Sequence, residues 1–309
     1  MPGVPPSSFA YLGPPGTFTQ QALQRLPAAN PATSMPMRSI PEAFDAVRNH
    51  DADAALAPIE NSVEGSVGVT LDSLVSGDPL TITAEVVLPI AFVLAGREDT
   101  EISVISSHPH ALAQCRDFLR HHYPSTETVE ALSTAAAATD VARGDADACI
   151  CAPLAAKQHG LKVLADNVGD NKNAVTRFVL VTRPCPPPPP SIHDVTSLAI
   201  YIAHDEVGAL LNVLTQLSVR GVNLTRIESR PTGQQLGRYV FFLDCTGHIA
   251  DARLSEALAG LKRVCADVRF LGSYRRDSDE AAVPPPSGLS DLEFSNADHW
   301  LRTLRESGR

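Results

Sequence analysis

The sequence predicts an α/β region followed by a smaller α+β region. Strand-like and helix-like stretches alternate up to about residue 183, and a proline run occupies 183–191. Beyond it the predicted order becomes strand, helix, two strands, helix, strand. Alternating strands and helices are typical of α/β architecture with parallel strands, and a proline run acts as a semi-rigid spacer. The 309 residues suffice for two domains of ordinary size.

The first region opens with a predicted strand, a loop and a helix, at 9–12, 13–18 and 19–26. Short apolar runs predict five further strands, and apolar spacing predicts one further helix. The strands are 54–58, 86–95, 104–106, 147–151 and 178–182, and the helix is 111–121. Polar turns adjoin several of these strands. In open α/β sheets, ligands bind in the crevice at the carboxyl ends of strands.

The second region has the βαββαβ order of the ferredoxin-like arrangement. Its predicted strands are 197–203, 223–229, 237–245 and 267–271, and its helices are 205–218 and 251–261. Asp205 is the expected N-cap of the first helix. One helix face is expected to carry Leu210, Leu211, Leu214 and Leu217.

The tail after residue 276 predicts one short helix. Ser295 is its expected cap, and the apolar face comprises Ala297, Trp300, Leu301 and Leu304 at helical spacing. We favour a helix that docks on the body of the protein. A partner-binding peptide is the alternative.

Composition excludes several classes of protein. The net charge is −10 with no cluster of lysine and arginine, which argues against a nucleic-acid binder. The longest apolar run, 86–95, contains a proline and is too short to span a bilayer. No secretory signal opens the sequence, so we expect a cytoplasmic protein without membrane contact. Six cysteines with no CxxC pair or zinc-finger spacing predict reduced core thiols.

Four polar segments carry the candidate chemistry: GPPGTF at 13–18, PIENSVEGS at 58–66, SSHPHALAQC at 106–115 and NAVTRF at 173–178. A glycine-containing turn that opens a helix can offer N–H groups to an anion, or can serve only chain reversal. In the second segment, Asn61 or Ser62 could equally be a helix cap.

The last two segments place further polar groups beside strands. Ser107 and Gln114 are about two helical turns apart and can share one face. Arg177 is a fork-shaped donor suited to a carboxylate. His108 and His110 have no neighbouring carboxylate or cysteine to complete a metal site, so we expect no metal there.

Together these four segments resemble the prephenate dehydratase family over about residues 9–183. The second region resembles a phenylalanine-binding ACT domain through GALL at 208–211 and ESRP at 228–231. The resemblance implies a catalytic region of two α/β lobes, like a periplasmic binding protein, with chain crossings near 84–86 and 178–182. His110 stands where the family commonly has glutamine.

The domain boundaries expected on this basis are an extension at 1–8, a catalytic domain at 9–183, a linker at 184–192, an ACT domain at 193–276 and a tail at 277–309.

The activity implied is conversion of prephenate to phenylpyruvate, carbon dioxide and water in phenylalanine biosynthesis, with no metal or organic cofactor. The implied catalytic residues are Thr176, Asn61, Ser107, Gln114 and Glu64. The implied substrate-binding residues are Arg177, Phe178, Ser62, Gly65 and Thr17. Thr176 is the family's signature residue, Glu64 is a candidate proton donor if it is buried, and Arg177 is expected to grip the pyruvyl carboxylate.

The ACT resemblance implies a phenylalanine site between two paired domains, in a homodimer or homotetramer. The implied effector residues are Gly208, Ala209, Leu210, Leu211, Asn223, Leu224, Glu228, Ser229, Arg230 and Pro231. Three other functions stay open. They are an arogenate dehydratase, a non-catalytic cytoplasmic amino-acid sensor, and a regulatory scaffold that uses the tail helix.

Overall fold

The computed structural model describes residues 5–202, 207–232, 239–278 and 283–307. The chain divides into two compact units. The first runs to Ser73 and from Val86 to Val181, and the second contains Leu74–Glu85 and the chain from Thr182 onward. Within the described ranges, no helix has both the length and the apolar character needed to cross a membrane.

The region up to Thr182 contains two separate sheets. Its elements are β1 (Ser8–Leu12), α1 (Phe18–Leu23), a 3₁₀ turn (Pro27–Ala29), β2 (Thr33–Met37), α2 (Ile40–Arg48), β3 (Ala54–Asn61), β4 (Gly65–Ser66), α3 (Gly68–Val75), β5 (Thr81–Pro89), β6 (Val93–Gly96), β7 (Val104–Ser107), α4 (Pro109–Gln114), α5 (Arg116–His122), β8 (Glu127–Glu130), α6 (Thr134–Arg143), β9 (Ala148–Cys151), α7 (Pro153–Gln158), β10 (Lys162–Ala165) and β11 (Val175–Thr182). The first sheet has the order β2-β1-β3-β11-β5, with β4 on β3, and the second has the order β10-β6-β9-β7-β8. Each sheet is the centre of one lobe.

The expectation of parallel strands is correct for part of each sheet. Strand β1 pairs in parallel with β2 and β3, and β7 pairs in parallel with β8 and β9. Strand β6 instead pairs antiparallel with β9 and β10. The predicted single strand 86–95 is wrong because the apolar run is divided between β5 and β6, which lie in different sheets. Pro89 ends β5, as expected of a residue without an N–H donor.

The predicted chain crossings at 84–86 and 178–182 are also wrong, because both segments belong to full strands of the first sheet. The chain passes between the lobes at 90–92 and 166–174. The Ile90 N–H donates to the Ala174 carbonyl at 2.8 Å, and the Val168 N–H donates to the Phe92 carbonyl at 2.9 Å. Two crossings tied side by side are suited to a hinge between lobes.

The predicted helix 111–121 is two helices that break at Cys115, whose backbone is not helical. Asp170, from the second crossing, causes the break. Its N–H donates to the Gln114 carbonyl at 2.7 Å, and its carboxylate accepts the Asp117 N–H at 3.1 Å. Asp170 therefore ends the first helix and caps the second.

The chain beyond Thr182 confirms the βαββαβ order. Its elements are β12 (Asp194–Tyr201), α8 (Ala209–Ser218), β13 (Leu224–Pro231), β14 (Tyr239–Thr246), α9 (Ala252–Val264), β15 (Asp267–Arg275) and α10 (Asp291–Ser307). Its antiparallel sheet has the order β13-β14-β12-β15. A core cluster joins the sheet to α8 and α9 through Leu198, Val213, Leu217, Leu243 and Leu254.

Two helix predictions in this part need correction. The expected cap Asp205 lies outside the described residues, and α8 begins at Ala209 after Gly208, which has a φ of 85°. Leu211 is 65% exposed. The buried residues of α8 are Leu217, which belongs to the predicted apolar face, and Val213, which does not.

The tail helix begins at Asp291, four residues before the expected cap Ser295. The Asp291 carboxylate accepts the Arg253 N–H at 3.1 Å, which attaches the start of α10 to α9. No residue of α10 is buried, and Trp300 is 60% exposed. The helix is therefore attached to α9 at its N-terminal end and buries none of its side chains.

All six cysteines are free thiols, and Cys115, Cys149, Cys151 and Cys245 are buried as expected. Burial raises the pKa of Cys115 to about 12. Cys185 is exposed and Cys265 is half-buried, so neither is a core residue.

Candidate active site

A cavity of about 1050 Å³ lies between the two lobes of the first unit. The first lobe contributes the segments that follow β1, β2 and β3, together with the start of β11. The second lobe contributes the segments that follow β7 and β8. These are mostly carboxyl ends of parallel strands, where ligand sites of open α/β sheets are found.

Seven of the ten predicted catalytic and substrate-binding residues line this cavity: Thr17, Asn61, Glu64, Gly65, Gln114, Thr176 and Phe178. Ser62, Ser107 and Arg177 are not among its lining residues. The four polar segments, which are far apart in the chain, therefore do converge on one cavity.

The cavity wall contains a hydrogen-bonded pair formed by Asn61 and the buried Thr176. The Asn61 amide Nδ2 donates to the Thr176 hydroxyl oxygen Oγ1 at 2.8 Å. Its Oδ1 accepts the N–H groups of Val63 at 2.8 Å and Glu64 at 2.9 Å. Because Oδ1 faces two donors, the amide nitrogen must face Thr176. Thr176 therefore accepts from Asn61 and can donate its own hydroxyl hydrogen to a ligand.

A second polar group joins the lobes across the cavity. Gln114 Nε2 donates to Glu64 Oε1 at 3.1 Å, and His110 Nδ1 lies 3.8 Å from Glu64 Oε2. The Glu64 side chain is 40% exposed, so the burial on which its predicted role as a proton donor depends is absent. Glu64 is instead held between residues of the opposite lobe.

His108 packs edge-to-face on His110, with ring centroids 5.0 Å apart. Burial, and next the neighbouring His110, lower the pKa of His108. A neutral imidazole is therefore favoured, and His108 contributes no positive charge to the cavity near neutral pH. Within the described residues, no group of three or more candidate ligands could hold a metal ion.

Arg177 does not occupy the position expected of a substrate donor. Successive side chains on a strand point to opposite faces, and Thr176 and Phe178 face the cavity, so Arg177 faces away. Its Nη1 lies 3.7 Å from Glu60 Oε2.

Ser107 and Ser62 hold strands together instead of lining the cavity. The fully buried Ser107 hydroxyl donates to the Ile150 carbonyl at 2.6 Å. Ser62 accepts the Val175 N–H at 3.0 Å through its hydroxyl and donates its own N–H to the Val175 carbonyl at 2.9 Å. Ser62 thereby brings the end of β3 beside the start of β11, which sets the Asn61–Thr176 pair.

Sequence reasoning missed Arg38, which lines the cavity directly after β2. Strand β2 has the sequence TSMPM and a largely exposed pattern, so no apolar run marked it as a strand. The structure supplies what the sequence did not show, since a cation that follows a strand parallel to β1 lies beside the GPPGTF turn.

The predicted effector residues fall into two groups on the second unit. Strands β12 and β13 both pair antiparallel with β14, and α8 runs back between them. The start of α8 (Gly208–Leu211) and the end of β13 (Glu228–Pro231) therefore lie at one end of the sheet. Asn223 and Leu224 lie at the opposite end.

Comparison with known proteins is consistent along the whole chain. The family model for prephenate dehydratase matches residues 9–186, and that for the ACT domain matches 196–263. Prephenate dehydratase of Amycolatopsis methanolica is 46% identical over 97% of this chain and 98% of its own length. That of Mycobacterium marinum is 47% identical over 96% of each chain.

A solved structure supports the same family. Prephenate dehydratase from Arthrobacter aurescens, in complex with L-Phe, has a TM-score of 0.91 to this chain at 46% identity. The match covers 97% of this chain and 99% of that one. With its two-lobed region and its ACT domain, this chain belongs to the prephenate dehydratase family.

Proposed function

We propose that the chain converts prephenate to phenylpyruvate in the cavity between the two lobes. The observation that carries this proposal is the Asn61–Thr176 pair, in which the Thr176 hydroxyl accepts from Asn61 and so can donate its own hydrogen to a ligand in the cavity. Thr176, Asn61, Gln114 and Glu64 are assigned to the reacting groups, and Phe178, Gly65 and Thr17 to the walls that hold the ring.

The reaction breaks two bonds of one ring. The bond to the ring carboxylate breaks, its electron pair enters the ring, and carbon dioxide departs. The bond to the hydroxyl on the opposite carbon breaks, and the oxygen keeps that pair. One proton taken up from solvent makes the departing hydroxide into water, and the ring becomes aromatic.

Thr176 assists the departure of the hydroxyl group. A threonine hydroxyl is too weak an acid to transfer its proton fully near neutral pH, but it can donate a hydrogen bond to the oxygen as negative charge develops there. Because the Asn61 amide donates to Thr176, the Thr176 hydrogen cannot be donated to that amide and is free to point elsewhere. Gln114 from the second lobe and the Glu64 carboxylate that it binds orient the substrate.

The second unit is assigned to regulation by phenylalanine. The relative from Arthrobacter aurescens was solved with L-Phe, and this chain has the same ACT fold. Within one chain, Asn223 is separated from Glu228–Pro231 by most of the edge strand β13. A second copy that pairs its β13 antiparallel with this one would place the start of one strand beside the end of the other. A homodimer or a homotetramer built on ACT domains therefore completes the effector site.

Exposed apolar side chains support an interface on this unit. Leu211, Val219 and Ile227 are 65%, 57% and 46% exposed. Burying them against a second copy would stabilise the assembly through loss of apolar surface from water.

A segment of the catalytic region provides the route for regulation. Residues 74–85 belong to the second unit, where the Arg269 guanidinium donates to the Val75 carbonyl and the Asp277 N–H donates to the Glu85 carboxylate at 2.9 Å. The chain then continues through β5 to Ile90 and Phe92, which line the cavity. A shift of β15 on effector binding would therefore act on the first crossing between the lobes.

We also assign the domain boundaries to 9–183 for catalysis, 184–192 for the linker and 193–276 for regulation. A reducing, cytoplasmic setting suits six cysteines that are all free thiols.

The purified chain should form phenylpyruvate from prephenate, measured by its absorbance, and L-phenylalanine should change kcat/KM by about fivefold or more, in the range of ordinary coupling between sites. D-phenylalanine is the matched control and should have a smaller effect. Turnover of arogenate without turnover of prephenate would support the arogenate alternative. Binding of L-phenylalanine without turnover of either substrate would support a sensor.

A further inference from the structure

The cavity needs a cation that its other assignments do not supply. Prephenate carries two carboxylates, the chain has a net charge of −10, and the lining includes the Glu64 carboxylate. Arg177 points away from the cavity. Among the described residues, Arg38 is the one arginine or lysine that lines it.

We propose that Arg38 binds the pyruvyl carboxylate of the substrate and so sets its orientation. This inference rests on the proposed activity. Arg38 is a new assignment, because it belongs to none of the four polar segments.

The backbone holds Arg38 at the edge of the first sheet. Met37, the last residue of β2, pairs with Leu12, and its carbonyl accepts the Gly13 N–H at 2.9 Å. The Arg38 N–H donates to the Glu42 carboxylate at 2.9 Å. The start of the side chain is therefore fixed, and the residue is exposed.

The strand order gives the distance to be bridged. Strands β2 and β11 are three positions apart in the order β2-β1-β3-β11, which is about 14 Å at ordinary strand spacing. Thr176 lies at the start of β11. An extended arginine side chain and a six-membered ring with its substituent together fill such a gap, so one substrate molecule can reach both residues.

The chemistry decides which carboxylate Arg38 holds. Both carboxylates of prephenate lie at the end of the ring opposite the hydroxyl, and Thr176 is assigned to the hydroxyl. A cation that gripped the ring carboxylate would stabilise a charge that the reaction must remove, which favours the ground state. The pyruvyl carboxylate persists in the product, and a planar guanidinium can bind it through two parallel hydrogen bonds.

Arg38→Gln should raise KM for prephenate roughly tenfold to hundredfold, the range for lost hydrogen bonds to charged groups, with a smaller effect on kcat. Arg38→Lys should have a KM between those of the unsubstituted chain and Arg38→Gln, because lysine keeps the positive charge but cannot form two parallel hydrogen bonds to a carboxylate. Arg120→Gln is the matched control, since Arg120 is an exposed arginine of the same unit that does not line the cavity. Thermal unfolding of each variant checks that the fold is retained.

Inhibition by phenylpyruvate identifies the carboxylate. This product keeps the pyruvyl carboxylate and has no ring carboxylate. We expect Arg38→Gln to raise the inhibition constant of phenylpyruvate by about the same factor as KM. A raised KM with an unchanged inhibition constant would assign Arg38 to the ring carboxylate and overturn the proposal.

A KM and an inhibition constant that match those of Arg120→Gln would overturn any role for Arg38 in binding. Failure of the unsubstituted chain to form phenylpyruvate at all would instead count against the proposed activity.

Discussion

Thr176→Val should lower kcat at least a hundredfold, with a much smaller change in KM. Valine keeps the shape of threonine but removes the hydroxyl that accepts from Asn61 and is assigned as a donor to the substrate. Loss of a single preorganised donor to developing negative charge typically costs about a hundredfold to a thousandfold in rate. Steady-state kinetics with prephenate measure the effect, and Thr176→Ala should behave in the same way.

Thr176→Ser is the matched control, because it retains the hydroxyl and the bond from Asn61, and it should keep most of the activity. Thr176→Val leaves the Asn61 amide without its acceptor, so unfolding should also become easier by about 1–3 kcal/mol. Near-normal turnover by the valine variant would contradict the catalytic assignment.

Asn61→Asp should be nearly as inactive while remaining folded. An aspartate retains the oxygen that accepts the N–H groups of Val63 and Glu64, so the local turn should persist. It replaces the amide donor with an acceptor, however. The Thr176 hydroxyl would then donate to the new carboxylate and no longer to the departing hydroxyl group. We expect kcat to fall about a hundredfold or more, by the same loss of a donor.

Asn171→Asp provides the control for this substitution. Asn171 also accepts a backbone N–H through Oδ1, that of Asn173 at 3.0 Å, and it does not line the cavity. The control should retain turnover and have a similar melting temperature. If Asn61→Asp is as active as Asn171→Asp, the orientation of the Thr176 hydroxyl does not matter to the reaction.

The sequence alone predicts the convergence of the polar segments because chain direction and strand ends are local properties. An apolar run followed by a polar turn places that turn at the carboxyl end of a strand. The structure confirms this for the segments that contain Asn61 and Gln114, which line one cavity. The βαββαβ order was also predictable, since each element shows its own periodicity.

The remaining features depend on partners that are distant in the chain. The helix break at Cys115 depends on Asp170, and strand β2, which Arg38 follows, depends on pairing with β1. The direction of the Arg177 side chain could not be predicted from the sequence for a different reason. Because the exposed face of a strand is set by its register, a one-residue difference decides whether a side chain reaches the cavity or points away from it.

The double-mutant cycle of Thr176→Val and Asn61→Asp tests the central claim most directly, through kcat/KM of the two single variants and the double variant. If Asn61 acts by directing the Thr176 hydroxyl, the second substitution has little left to remove, and the double variant should be about as slow as the slower single variant. If the double variant instead loses kcat/KM by the product of the two single-variant factors, the two residues act independently. That result would contradict the claim that they act as one unit.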